Sequence, residues 1–313
     1  MTQLDLRAER IANEPMSVVG ARFRFFGGVD SIVDIWRHRE LLFLLIRREI
    51  KSRYKGSTLG VVWSLFRPIA QLLIYYLVIG KVLGVSRGTP DFAIFVFIGL
   101  TTWGLYSEIV GSSTTSILSN SGLVKKVYLP REIFPLSVIG SALFNAAIQY
   151  IVLIIAIATL SSVPFNWGPN ILLAIGGLLL AIVFATVVGL VLAAVNVYLR
   201  DVQHIVEIAL GILYWASPIV YSFTYVNNML HGGWLEHVYL YNPATLAVLA
   251  MQKGLWAAGS VPFCPPGGAA CITQYWPPHL GLSVAVVLLI SLALLWPAQR
   301  VFARLQGNFA QEL

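Results

Sequence analysis

Lys55-Gly56-Ser57-Thr58 is the first stretch of this sequence that could do chemistry, since a lysine, a glycine and two hydroxyls end the loops that hold nucleotide phosphates. Such a loop also needs glycines ahead of the lysine, whose neighbouring amides wrap the phosphates. None stands at the required distance, so the match fails. The chain has no other nucleotide-binding loop. His38, His204, His231, His237 and His279 are scattered, and no carboxylate pair recurs at short spacing in a pocket. Asp201, His204 and Glu207 do gather, but they read as loop charges rather than a catalytic triad. Cys264 and Cys271 bracket CPPGGAAC, which either closes a small ring in an oxidising compartment or leaves two thiols in a loop. Two thiols without nearby histidines make an incomplete metal site. Neither a catalytic residue nor a metal site is therefore expected.

The elements that must carry these residues are apolar. The chain has 313 residues, 58% of them hydrophobic and 11% charged, against about 45–50% and about 25% in soluble domains. Runs long enough to cross hydrocarbon lie at about 59–80, 92–118, 133–160, 171–199, 205–223 and 279–297. With the N-terminus inside, 18 of the 21 lysines and arginines fall on the inner side: twelve up to Arg67, then Lys125, Lys126, Arg131, Arg200, Arg300 and Arg304. Short basic loops stay in the cytoplasm. An all-α integral membrane protein with six transmembrane helices and both termini cytoplasmic is expected, and a nucleic-acid partner is not. The first 55 residues lack the apolar core and cleavage site of a secretory signal.

Residues 1–33 read as a cytoplasmic tail. From 34 to 56 an amphipathic helix is predicted, with Trp36, Phe43, Ile46, Ile50 and Tyr54 on one face and Arg47, Arg48, Lys51 and Lys55 on the other. Such a helix lies on a membrane with its cations at lipid phosphates. Gly56 offers its stop, and the chain then turns into a transmembrane domain at 59–300, followed by a cytoplasmic tail at 301–313. Pro68 is expected to kink the first span. The loop at 119–132 carries Lys125, Lys126 and Arg131 around Val124, Val127, Tyr128 and Leu129, a small helix suited to a protein partner. The stretch at 224–278 holds an apolar run too short to cross, which a re-entrant hairpin accommodates better than an outer loop.

Polar groups inside spans need partners or water. Arg67 reads equally as a lipid anchor and as the wall of a polar path. Asn145 and Gln149, four apart, line a passage or bond a neighbouring helix. Tyr75 and Tyr76 sit near mid-span, where an interfacial belt does not account for them, and with Trp103 they are candidates for a face along which sugar rings pass.

As a set, RYKGSTLGVVWSLFRP, LVKKVYLPREIFPLS, six spans and the closing VFARLQGNFAQEL resemble the ABC-2 type permeases that export O-antigen, capsule and teichoic acid polysaccharides. The resemblance covers residue 34 to the end. It implies a homodimer in the bacterial cytoplasmic (inner) membrane with two copies of a separate ATPase subunit, which holds the ATP and Mg, while this chain holds no cofactor. It further implies that a lipid-linked polysaccharide passes between the two permeases, and that the segment after span five forms re-entrant helices. The amphipathic helix and the loop at 119–130 would dock on the ATPase, through Arg47, Arg48, Lys51, Lys125, Lys126 and Tyr128. The N-terminal extension and CPPGGAAC depart from that pattern. Two rival readings stand beside it: a polyprenyl-lipid glycosyl- or phosphosugar transferase, which needs acidic metal-binding pairs, and an ATP-independent transporter.

Overall fold

The computed structural model describes residues 33–56, 62–82, 89–126, 129–163, 168, 170–230, 233–262, 271 and 273–313. Among these the regular elements are all helices. A basic helix α1 (Arg39–Arg53) is followed by α2 (Val62–Leu73), which widens into a π-helical stretch, Ile74–Val82. Then come α3 (Phe92–Ser119), the short α4 (Ser121–Lys126), α5 (Ile133–Leu160) and α6 (Asn170–Tyr198). The chain continues through α7 (Val202–Trp215), α8 (Phe223–Leu230), α9 (Trp234–Leu240), α10 (Pro243–Leu255) and α11 (Leu280–Leu305), and ends in α12 (Phe309–Glu312). Among the described residues four helices are long and apolar enough to cross a membrane: α3, α5, α6 and α11.

The helix α6 is the hub, with α3, α10 and α11 packed on it. It carries no charge, and its buried face is rich in small residues: Ala174, Gly177, Ala181, Ala185, Gly189 and Ala193. Small side chains let backbones approach closely where lipid supplies no drive to hide apolar surface. A Cβ added at Gly177 would lie 2.8 Å from the Ala250 Cβ and 2.9 Å from the Ala247 carbonyl oxygen of α10. The contact is reciprocal, because Gly254 of α10 meets Ala174 in the same way.

The fifth span departs from expectation. The run at 205–223 becomes a 14-residue helix that stops at Trp215, about 21 Å long against a hydrocarbon core of about 30 Å. The chain through Ala216–Ser222 is not helical. Pro218, which lacks an amide hydrogen, ends the run. Its carbonyl instead accepts a bond from the Gln252 side chain of α10 at 2.8 Å. α10 itself is a 13-residue helix buried along nearly its whole length, N-capped by the Asn242 side chain with Pro243 in its first turn. The polar groups of irregular backbone are thus met by protein, as membrane depth requires.

Both ends of the bundle are tied. At one end, Asp91 (φ 47°) caps α3, and its carboxylate accepts the Ser161 hydroxyl at 3.1 Å and the Ser162 amide at 2.8 Å beyond α5. At the other end, the segment read as a tail, 301–313, is packed. Phe302 and Phe309 are fully buried with Val124, Ile133, Phe134 and Leu45. The Tyr198 hydroxyl donates to the Leu305 carbonyl at 2.6 Å. Gly56, in the turn that follows the Tyr54 C-cap of α1, has φ +80°, where a residue with a side chain would be strained.

Replacing Gly177 with alanine should force α10 away from α6 and destabilise the protein by about 1–3 kcal/mol. Gly111, whose Cβ position is open, should accept alanine with a gain of about 0.5–1 kcal/mol. Thermal unfolding of the two purified variants in one detergent checks the contrast.

Candidate coupling face and polar passage

α1 leaves Arg47 and Lys51 exposed, and α4 does the same with Lys125 and Lys126. What holds these cations in place is apolar. Leu45 of α1 and Val124 of α4 belong to the cluster that also buries Phe302 and Phe309. Helix α12 packs on α4 and on α6. The Arg131 guanidinium stands 5.6 Å from the centre of the Phe309 ring. Arg48, expected to meet a partner, bonds within the chain to the Asn120 side chain at the C-cap of α3. Tyr128 lies outside the described residues.

Next to this floor is Glu132, 4% exposed at the head of α5. Burial raises its pKa above the usual carboxylate range, against lowering by a bond to its own backbone and by the Gln299 and Gln306 side chains. A carboxyl whose folded pKa is raised binds protons more readily folded than unfolded, so its contribution to stability falls as pH rises above the unfolded value. Replacing Glu132 with glutamine should remove that dependence. The variant is expected to melt at or above the wild-type temperature at neutral pH, with the difference closing as pH falls toward 4.5, read by thermal unfolding across a pH series.

A second polar group lies where α1, α3 and α5 meet. Arg53 Nη1 stands 2.5 Å from Glu108 Oε1, and the Asn145 side-chain amide donates to the same oxygen at 2.9 Å. The Tyr54 hydroxyl donates to Asn145 Oδ1 at 3.3 Å. Gln149 adjoins Gly104, its Oε1 lying 3.9 Å from where a Cβ would be. Asn145 thus bonds neighbouring elements. Trp103, expected along the passage, is 7% exposed and wedged between Tyr106 and Tyr214. Its place in the core is a correction: hydropathy treats an indole in the core and one at a lumen alike. Tyr75 and Tyr76 are partly buried against the cluster formed by Phe92, Phe95 and their neighbours. Arg67 is carried by α2, and its side chain lies outside the described residues. Cys271 is disulfide-bonded, and Cys264 lies outside the described residues.

Sequence reasoning missed the open face of α3. Between Leu100 and Leu118 the only residues that are not buried are Gly104, Ser107, Glu108, Gly111, Ser112 and Thr115. They recur at helical spacing and form one face with no bulky apolar side chain. The open faces of other spans are the reverse: Ile151, Ile154 and Ile155 on α5, and Leu282, Leu289 and Ile290 on α11. Those suit lipid, whereas a face carrying a carboxylate suits water or a polar chain. Ser107 and Thr115 hydroxyls donate to the carbonyls of Gly104 and Ser112 at 3.2 and 3.4 Å. The signal that could have found this face is Glu108, a lone carboxylate inside the run at 92–118. With Cys264 and Cys271 replaced by serine, a cysteine at Ser112 should react with a charged, water-soluble thiol reagent in membranes. A cysteine at Ile155 should not; labelling of both positions at equal rates contradicts the assignment.

The family described as ABC-2 type transporter matches residues 40–256. The O-antigen export system permease protein RfbA of Myxococcus xanthus is 25% identical over 285 residues, spanning 91% of this chain and 100% of that protein. A protein of the same name from Klebsiella pneumoniae is 27% identical over 216 residues, 68% of this chain and 79% of that protein. The polysialic acid transport protein KpsM of Escherichia coli is 30% identical over 187 residues, 58% of this chain and 69% of that protein. A multi-pass bundle whose basic helices are mounted on one end, and whose sequence matches that family from α1 to the end of α10, belongs to the ABC-2 type transporters.

Proposed function

We propose that this chain is the permease subunit of an ABC transporter that exports a lipid-linked polysaccharide across the bacterial cytoplasmic membrane. Two copies form the channel, and two copies of a separate ATPase subunit, holding ATP and Mg, drive it. The observation that carries the reading is that α1, α4 and the C-terminal segment are packed into one face with Arg47, Lys51, Lys125 and Lys126 outward. Such a face suits an acidic protein surface, because its cations point outward while Leu45 and Val124 anchor the two helices that carry them. Full-length similarity to a protein named as an O-antigen export permease supports the same substrate class.

In this reading α2, with its π-helical extension, is the first span, α7 with the irregular chain after it is the fifth, and both termini are cytoplasmic. α8, α9 and α10 form the re-entrant segment. The homodimer is supported by α7, where Ile205, Ile208, Ile212 and Trp215 form one exposed row at helical spacing. A helix too short to span alone gains a second wall from the partner copy. Cys264 and Cys271 close a ring on the outer side.

The test is purification with the ATPase subunit. Lipid-linked glycan should stimulate hydrolysis severalfold, and reversing both charges at Lys125 and Lys126 to glutamate should lower assembly with the ATPase tenfold or more. Assembly and export that survive the double reversal would falsify the assignment of α4.

A further inference from the structure

A carboxylate on a membrane-crossing helix is expensive unless paired, and such residues mark function. Glu108 is on α3 eleven residues before its end at Ser119, roughly 16 Å along the helix. Its Oε1 takes both Arg53 and the Asn145 amide, and Asn145 in turn takes the Tyr54 hydroxyl. One oxygen atom therefore joins the end of α1 to the walls formed by α3 and α5.

Two features separate this junction from an ordinary staple. α1 is already held by apolar contact, through buried Leu45 and through Ile46, whose methyl carbon would lie 2.5 Å from a Cβ at Gly140. The ion pair is therefore not the sole attachment of α1. The pair is also not sealed within the protein, with 31% of the Arg53 side chain and 21% of the Glu108 side chain exposed. Pairs with access to water stabilise weakly and can break and re-form, unlike sealed ones. When Arg53 withdraws, Glu108 stands on the hydroxyl- and glycine-lined face of α3, where water can solvate it. Immediately after Tyr54 the chain turns at Gly56 (φ +80°), so a tilt of α1 displaces Arg53 directly.

We infer that Glu108 is a positioning residue for transport: the Arg53–Glu108 pair, steadied by Asn145, latches α1 to the polar face of α3 and passes movement of α1 to that face. The inference rests on the permease reading, since it needs an ATPase partner that moves α1. It adds a specific junction inside the membrane through which that movement is delivered.

The experiment uses the full chain with its ATPase in proteoliposomes, measuring glycan exported per ATP hydrolysed. Glu108→Gln and Arg53→Gln should each lower that ratio tenfold or more while assembly with the ATPase persists, and the exchange Arg53→Glu with Glu108→Arg should restore it to within about threefold. An unchanged ratio in the single variants overturns the latch. An exchange variant as impaired as the singles overturns it too, because Glu108 would then act by itself. If the single variants do not assemble, Arg53→Cys with Glu108→Cys in the Cys264→Ser, Cys271→Ser background takes their place. A short reducible bifunctional thiol reagent should stop export, and reduction should restore it; export unaffected by the cross-link overturns the inference. Wild-type protein that exports without an ATPase refutes the permease reading itself, an outcome distinct from these.

Discussion

In hydrocarbon, helices gain little by hiding apolar surface from one another, so the bundle depends on how closely α6 lets its neighbours approach. Ala174, Gly177, Ala181, Ala185, Gly189 and Ala193 give that helix a face with almost no side-chain relief. α10 seats on it through Gly177 and Gly254, and α3 through the Gly189–Ser113 contact. Toward the C-terminal end of the same helix Asn196 is fully buried. Its amide donates to the Thr114 carbonyl at 2.9 Å, and its oxygen accepts the Gln203 amide at 3.2 Å, which fixes where α7 departs. Each of these bonds satisfies a polar group that would otherwise be stranded.

From that centre the molecule divides into parts held on many sides and parts held on one. The first half of α3 and nearly all of α10 are enclosed, with Trp256 buried after α10 and its indole donating to the Pro90 carbonyl at 3.0 Å. By contrast α1, α2 and α7 keep rows of large apolar side chains open, among them Phe43 and Leu44, Trp63 and Phe66, and Ile208 and Ile212. Elements held on one side are the ones that can shift while the core stays packed. The polar junction at Glu108 joins one of these movable elements to the enclosed helix α3. The C-terminal segment contributes from the other direction, because Phe309 and Leu305 hold α4 and Arg131 in place.

Much of the candidate site was legible where chemistry declares itself in residue type. Lys125 and Lys126 in a short apolar loop, and the basic residues of α1, were visible because charge beside hydrophobic sequence has few explanations. Asn145 and Gln149 were visible for the same reason. Trp103 was misjudged and the face around Glu108 was overlooked, since whether a side chain faces lumen, lipid or a neighbouring helix depends on what packs beside it. The fifth run reads as helix throughout because Ile219 and Val220 continue the apolar run past Pro218, and hydropathy does not register the missing amide.

By itself the sequence determined the class of protein, because transfer of long apolar segments into hydrocarbon is a property of each segment alone. Its motifs carried the family as well. Only the tertiary structure decided that the closing residues fold under α4, that α10 is buried nearly along its whole length, and that Glu108 meets Arg53 across 55 positions of chain. In a helix such as α6, apolar around its whole circumference, periodicity contains no record of which face meets protein. That choice is made by the fit of small residues between helices, which exists only once the helices are together.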